Sequence, residues 1–156
     1  MRNRWVKGAV AAALALSFAG GVVVVAQAQG DVIKARQDNR KEITRLGGRE
    51  MRPLLEADGN LAELATRAER IAELNKQFAT MFPPGSDKGN TLASPAIWTD
   101  RAGFDAANKA SVDAALKMAE LAKAGNRAAL ADQYKVMGST CGACHQKYTT
   151  SDPFKK

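Results

Sequence analysis

The strongest constraint on the fold is a run of inward-facing positions, spaced three and four apart, between residues 60 and 82. Such positions return to one side of an α-helix, while charged residues take the other sides. The set comprises Leu61, Leu64, Ala68, Ile71, Asn75, Phe78 and Phe82. No stretch alternates with period two, and Ala, Leu, Lys, Glu and Arg, which favour helix, dominate the chain beyond residue 30. The sequence therefore predicts an all-α protein.

Capping residues and prolines indicate where the first two helices begin and end. Asp31 is a candidate N-cap for the first helix, which should continue to about Pro53. Asn60 can cap the second helix. That helix should end at Pro83, because proline has no amide hydrogen to donate and cannot continue the helical hydrogen bonds.

Two further helices complete the chain. Ser94 followed by Pro95 suits a helix start, and Gly125 suits the end of that third helix. Asn126 can cap the fourth helix, which carries both cysteines of the chain on its inward face. Four helices with one apolar face each predict an antiparallel four-helix bundle with up-down-up-down topology.

The first 28 residues have the pattern of a secretory signal peptide. Basic residues at Arg2, Arg4 and Lys7 precede an uncharged apolar run, and the run ends in Ala-Gln-Ala at residues 26–28. We expect cleavage after Ala28, export to the periplasm, and one domain over residues 29–156. The alternative is a retained membrane anchor, because the apolar run is long for a signal peptide.

The charge of the remaining chain argues against a nucleic-acid partner. Without the three basic residues of the signal, 20 basic and 16 acidic residues leave a net charge of +4. The sequence has no block of Lys or Arg and no basic stripe with interleaved aromatic residues. We therefore expect no nucleic-acid binding and, after cleavage, no stable membrane insertion.

The only two cysteines and the only histidine lie within five residues of one another. Cys141 and Cys144, at positions i and i+3 of a helix, share a face about 5 Å apart, which suits thioether bonds to the two vinyl groups of one haem. His145 follows Cys141 by four residues, so its imidazole can bind the haem iron axially. The motif predicts covalent haem c.

Three other interpretations of this motif fit less well. A structural zinc site normally takes four Cys or His ligands, and the chain has three. A thiol oxidoreductase places its CxxC at the start of a helix after a strand, whereas this motif ends the last helix. An ordinary disulfide beside an incidental histidine is the third interpretation, and it leaves the spacing unexplained.

Four stretches resemble the cytochrome c′ family, the class II cytochromes c together with their low-spin relatives. They are VIKARQ at 32–37, FPPGSD at 82–87, IWTDRAGF at 97–104 and GSTCGACHQKY at 138–148. The resemblance implies a four-helix bundle with one covalently attached haem c. It also implies that Arg36 and Gln37 lie beside the haem propionates, a task that suits the guanidinium fork of arginine.

The resemblance makes the sixth coordination position of the iron the main open question. Low-spin relatives have methionine four residues after the arginine of that pair, and cytochrome c′ proper has an apolar residue there. This chain has Arg40, which cannot bind iron because a guanidinium stays protonated. Met51 is an alternative sixth ligand, and Ile43 would help to wall the distal pocket. We expect five-coordinate iron held by His145 alone.

Two functions follow from this interpretation. As an electron carrier, the protein would cycle between Fe(III) and Fe(II) and meet periplasmic redox partner proteins through weak surface charge. As a gas-binding protein, it would bind NO or CO at the open face of the haem. An enzyme is not expected, since no second acid-base residue accompanies the haem. The resemblance also implies a possible homodimer.

Overall fold

The computed structural model describes residues 16–56 and 58–151, with side chains from Gln29 onward. These residues form five α-helices, and their only β-structure is an isolated bridge between Ala93 and Thr149. The helices are α1 (Leu16–Thr44), α2 (Leu61–Ala79), α3 (Ala96–Thr99), α4 (Arg101–Lys123) and α5 (Arg127–Tyr148). The four long helices are those of the bundle, so the predicted all-α class is confirmed.

The predicted N-cap of α2 is present in the structure, whereas the predicted N-cap of α1 is not. The side chain of Asn60 accepts a hydrogen bond from the backbone N–H of Glu63 over 3.1 Å, as expected for an N-cap. Asp31 does not cap α1, because α1 begins at Leu16 and passes through it. No proline interrupts the segment before Asp31, so the helix continues upstream.

Beyond Thr44 the chain leaves regular α-helical geometry. A π-helical segment (Arg45–Glu50) and a 3-10 turn (Arg52–Leu55) carry it past the glycine pair at 47–48 to the turn before α2. Pro53 lies within the 3-10 turn, where its missing N–H costs little.

The predicted third helix is divided into two. The short helix α3 follows Pro95 and ends at Asp100, whose carboxylate then caps α4 by accepting the N–H of Gly103 over 3.2 Å. Gly125 ends α4 with a φ of +69°, which glycine adopts without strain. Asn126 precedes α5, but its side chain makes no capping hydrogen bond.

The predicted signal peptide lies mostly outside the description of the structure. Residues 1–15 are not described, and residues 16–28 are described only as backbone within α1. Cleavage after Ala28 therefore stays a prediction. Among the described residues, no helix combines the length and the apolar character needed to cross a bilayer.

The core has two parts. The larger packs α1, α2, α4 and α5 around Leu64, Met118 and Leu130, all almost completely buried. The smaller is aromatic and lies where α5 ends: Phe82, Phe104 and Tyr148 meet edge to face with ring centroids 4.9–5.4 Å apart. The aromatic part stands directly beside the CxxCH segment.

Candidate functional site

A cavity of about 620 Å³ opens between α1 and α5. No Cα atom of the described part of α1 lies within 8 Å of one in α5, so these two helices are held apart at this level of the bundle. Side chains of α2 and α4 form the floor, and the loop at residues 90–93 forms part of the rim. The volume is in the range of about 300–1,000 Å³ that small-molecule and cofactor pockets take.

The wall on α5 carries the three residues of the CxxCH motif. Cys141, Cys144 and His145 all line the cavity, because positions i, i+3 and i+4 share one side of a helix. Both cysteines are free and partly buried. Burial raises the pKa of the Cys144 thiol, and the positive charge of Arg40 opposes that rise. Over the described residues, no group of three or more His, Cys, Asp or Glu side chains is arranged to hold a metal ion.

The opposite wall belongs to α1 and contains Arg40. Its Nη2 atom lies 3.3 Å from Nε2 of His145, and its guanidinium stands 5.3 Å from the centre of the Phe78 ring. The position expected for the distal pocket is therefore directly across from the imidazole. The imidazole of His145 thus faces α1 through its Nε2 atom.

Arg36, one turn before Arg40, is a buried cation. It donates from Nη2 to the carbonyl of Ser86 over 2.6 Å and stacks on Phe82 with 4.7 Å to the ring centre. Loss of solvation lowers its pKa. Its Nε is buried and has no hydrogen-bond partner among the described residues. Because Arg36 lines the cavity, a carboxylate of a bound group could accept this donor.

Gln37 connects α1 to the rim of the cavity. Its side-chain amide donates to the carbonyl of Asn90 over 2.9 Å. The rim loop is in turn bound to the end of α5, since Ser94 donates its N–H to Tyr148 and Thr150 donates to Leu92. The sequence did not predict that residues 90–93 form part of the rim of the cavity, because their composition indicates only a loop.

Met51 and Ile43 require a correction. Neither lines the cavity: both lie in the larger core, where Met51 is 0% exposed. The break in helical geometry after Thr44 turns Met51 inward between helices instead of towards His145. The structure thus gives Met51 no access to an iron at His145 and gives Ile43 no part in the pocket wall.

The residues present fit a covalently bound haem. Two thiols and an imidazole share one wall, aromatic side chains from α2 and α4 surround the interior, and Arg36 offers an unused buried donor. Each matches one part of the group: the vinyl edges, the iron, the ring and a propionate.

A family model described as Cytochrome C' matches residues 31–149. The chain belongs to the cytochrome c′ family. Proteins of the cytochrome c′ family carry covalently attached haem c, in agreement with the predicted cofactor. As a member, the chain is a c-type haem cytochrome in the form of a four-helix bundle.

Similarity to individual cytochromes c′ extends over most of the chain. The protein from Rhodospirillum rubrum is 37% identical over 87 residues, which cover 55% of this chain and 59% of that relative. The one from Pararhodospirillum photometricum is 31% identical over 120 residues, covering 74% of this chain and 96% of the relative. The structure of cytochrome c prime from Shewanella frigidimarina matches with a TM-score of 0.71 and 32% identity, over 79% of this chain and 97% of that one.

Proposed function

We propose that this protein is an exported cytochrome that transfers single electrons through one haem c. Cys141 and Cys144 would hold the haem by thioether bonds, and His145 would bind its iron as the one protein ligand. The main support for this proposal is the set of residues that line the cavity. The single histidine of the chain lines it beside both thiols, whereas no methionine among the described residues does.

The other methionines support an open sixth position. Met118 and Met137 lie in the larger core, and Met81 packs against the aromatic one. The sulfur of Met118 or Met137 could therefore reach the site only after rearrangement of a close-packed interior, which is costly, and the partly buried Met81 does not line the cavity. Arg40 of α1 contacts Nε2 of His145, and a guanidinium has no lone pair to give to iron.

A bound haem supplies the Fe(III)/Fe(II) couple, and an open coordination position lets it bind small diatomic molecules. The protein would position the haem and shield it from water. Phe78, Phe82 and Phe104 exclude water from the cavity floor, and Arg36 holds a cation at its edge. Leu92, which is 60% exposed at the rim, leaves an apolar edge where a redox partner protein could approach.

Binding of NO or CO is a second candidate function. Its support is the similarity to a cytochrome c prime from Alcaligenes xylosoxidans, a mutant of which has been solved as a nitric oxide complex, with 29% identity and a TM-score of 0.71. The same open position would serve both functions. We further propose a periplasmic location and no organic substrate.

Spectra of the purified protein test the proposal. After expression with its own amino-terminal segment in a host that attaches haem c, haem should resist acid-acetone extraction, and the ferric spectrum should be high-spin. Replacing both Cys141 and Cys144 by Ser should release the haem to the extraction. Met51→Leu is the matched control and should leave the spectrum unchanged.

Each outcome decides one part of the proposal. Extractable haem in the wild type overturns covalent attachment. A low-spin ferric spectrum that becomes high-spin in Met51→Leu overturns the open site. Reversible one-electron titration with salt-sensitive reduction by a partner protein would support electron transfer. Tight NO binding without such reduction would favour the second function.

A further inference from the structure

Arg40 places a cation on the wall of the cavity. Its guanidinium lines the space, is partly buried, and faces the Nε2 atom of His145 at 3.3 Å. The ring of Phe78, 5.3 Å from the guanidinium carbon, fixes it from the α2 side. The cation is therefore held at the cavity face of α1 and does not extend into solvent.

No Asp or Glu among the described residues lines the cavity to neutralise this charge. Of the described residues that line the cavity, three are Arg or Lys and none is Asp or Glu. The carboxylates next to Arg40 on α1 are paired elsewhere, because Asp38 bonds to Lys34 and Glu42 bonds to Arg45. The interior thus carries an excess of positive charge.

Arg36 and Arg40 differ in what they can still bind. Arg36 is already committed to the Ser86 carbonyl and to the Phe82 ring, with only Nε left over. Arg40 makes its polar contact with the imidazole nitrogen that a bound iron would occupy. An iron bound to that nitrogen would displace the guanidinium from this contact, and because Arg40 is anchored on α1, its donors would then face the site from the opposite helix.

We infer that Arg40 makes the iron face opposite His145 a site for small anions, with azide and fluoride as its simplest representatives. The inference rests on the proposed function, since it needs an open coordination position. An anion at that position would accept charge-assisted hydrogen bonds from the guanidinium, in a partly dry cavity where such bonds are strong. A neutral ligand such as CO gains far less from the cation.

Titration of the ferric holoprotein with sodium azide and with sodium fluoride at neutral pH tests this. Replacing Arg40 by Leu should weaken the binding of both anions about tenfold to a hundredfold, as expected for losing a hydrogen bond to a charged group. Affinity of the ferrous form for CO should change much less. Arg40→Lys should fall between, because lysine keeps the charge but lacks the fork.

Arg70→Leu is the matched control. Arg70 is an exposed arginine on α2 that pairs with Glu73, so its loss removes the same formal charge away from the cavity. Azide affinity should stay at the wild-type value in this variant. If Arg40→Leu fails to retain haem, Arg40→Gln removes the charge while keeping a polar side chain of similar reach.

The outcomes separate the inference from the proposed function. If the wild type is high-spin and Arg40→Leu and Arg40→Gln both bind azide as tightly as the wild type does, the anion site is overturned. The open coordination position of the iron is then still supported. An equal loss of CO and azide affinity also overturns it, because that pattern reports a general change of the pocket. A low-spin wild type with a protein sixth ligand overturns both.

Discussion

Tyr148 donates its phenolic hydroxyl to Oδ2 of Asp100 over 2.8 Å, which joins the last residue of α5 to the N-cap of α4. Lys147 donates to the same oxygen over 2.5 Å, and the other carboxylate oxygen accepts the N–H of Gly103. The CxxCH segment is thereby held against the aromatic core, three residues after His145. One carboxylate serves as a helix cap and as an anchor between helices.

The Asp100 carboxylate should make the protein sensitive to acid. Hydrogen bonds from Lys147, then Tyr148, then Gly103 hold the pKa of Asp100 below its ordinary value. Its stabilising effect is therefore complete above about pH 5 and is lost as the pH falls through the lower folded-state pKa. Asp100→Asn should lower the urea midpoint at neutral pH, and its difference from wild type should shrink towards about pH 2.

Asp113→Asn is the control for this acid sensitivity. Asp113 is exposed and pairs with Lys109 one turn before it, within α4. Its loss should leave the pH dependence of the urea midpoint close to that of the wild type. An Asp100→Asn protein that keeps the full wild-type loss of stability in acid would contradict the role of the anchor.

Gly103 has no room for a side chain. A Cβ there would stand 2.5 Å from the hydroxyl oxygen of Tyr148 and would also collide with Oδ2 of Asp100. Gly103→Ala should therefore lower the free energy of unfolding by about 1–3 kcal/mol, despite the helix propensity of alanine. Gly48→Ala meets nothing within 4 Å among the described residues and should be neutral or stabilising. Chemical denaturation of both variants checks the contrast.

Helix boundaries could be predicted where the determining residues are local. Asn60 and Gly125 act through their own backbone neighbourhood, so the sequence sufficed for them. Asp100 caps α4 locally through Gly103, but its second role, as acceptor for Tyr148, 48 residues away, leaves no trace in the spacing of apolar residues. Interactions of this kind depend on tertiary contacts, and a single sequence does not show which distant residues meet.

The residues of the candidate site also differ in whether local sequence is enough to place them. The CxxCH spacing is enough to predict that three side chains share one helix face, because helical geometry is local. Resemblance placed Arg40 in the distal pocket, and the structure sets it across from His145. Met51, the alternative sixth ligand, lies in the larger core, because the π-helical segment after Thr44 changes the helical register of the residues that follow it.

Truncating a leucine should lower the free energy of unfolding more when its side chain is buried in the larger core than when it is exposed. Leu64 is 0% exposed in α2, so Leu64→Ala should cost about 2–5 kcal/mol through lost contacts and a residual cavity. Leu116 on α4 is 42% exposed, and its replacement by Ala should change stability by no more than about 0.5 kcal/mol. Equal losses in urea denaturation would contradict this division between core and surface.

Arg36 should stabilise the turn that ends at Ser86. Arg36→Gln removes its hydrogen bond to the Ser86 carbonyl and its stacking on Phe82, for an expected loss of about 1–3 kcal/mol. The exposed Arg70→Gln should cost no more than about 0.5 kcal/mol. Hydrogen exchange at the Ser86 amide, which bonds to Pro83, should quicken only in the Arg36 variant.

The separation of α1 from α5 has a consequence for maturation. Since no backbone contact joins the described parts of these helices, the prosthetic group itself must supply most of the apolar surface between them. A bound ring then favours closure of the bundle, because the closed bundle buries the faces of the ring. Chains that never receive the ring should hold α1 only by its contacts with α2 and the loop after it, and such chains would be the first substrates for proteolysis.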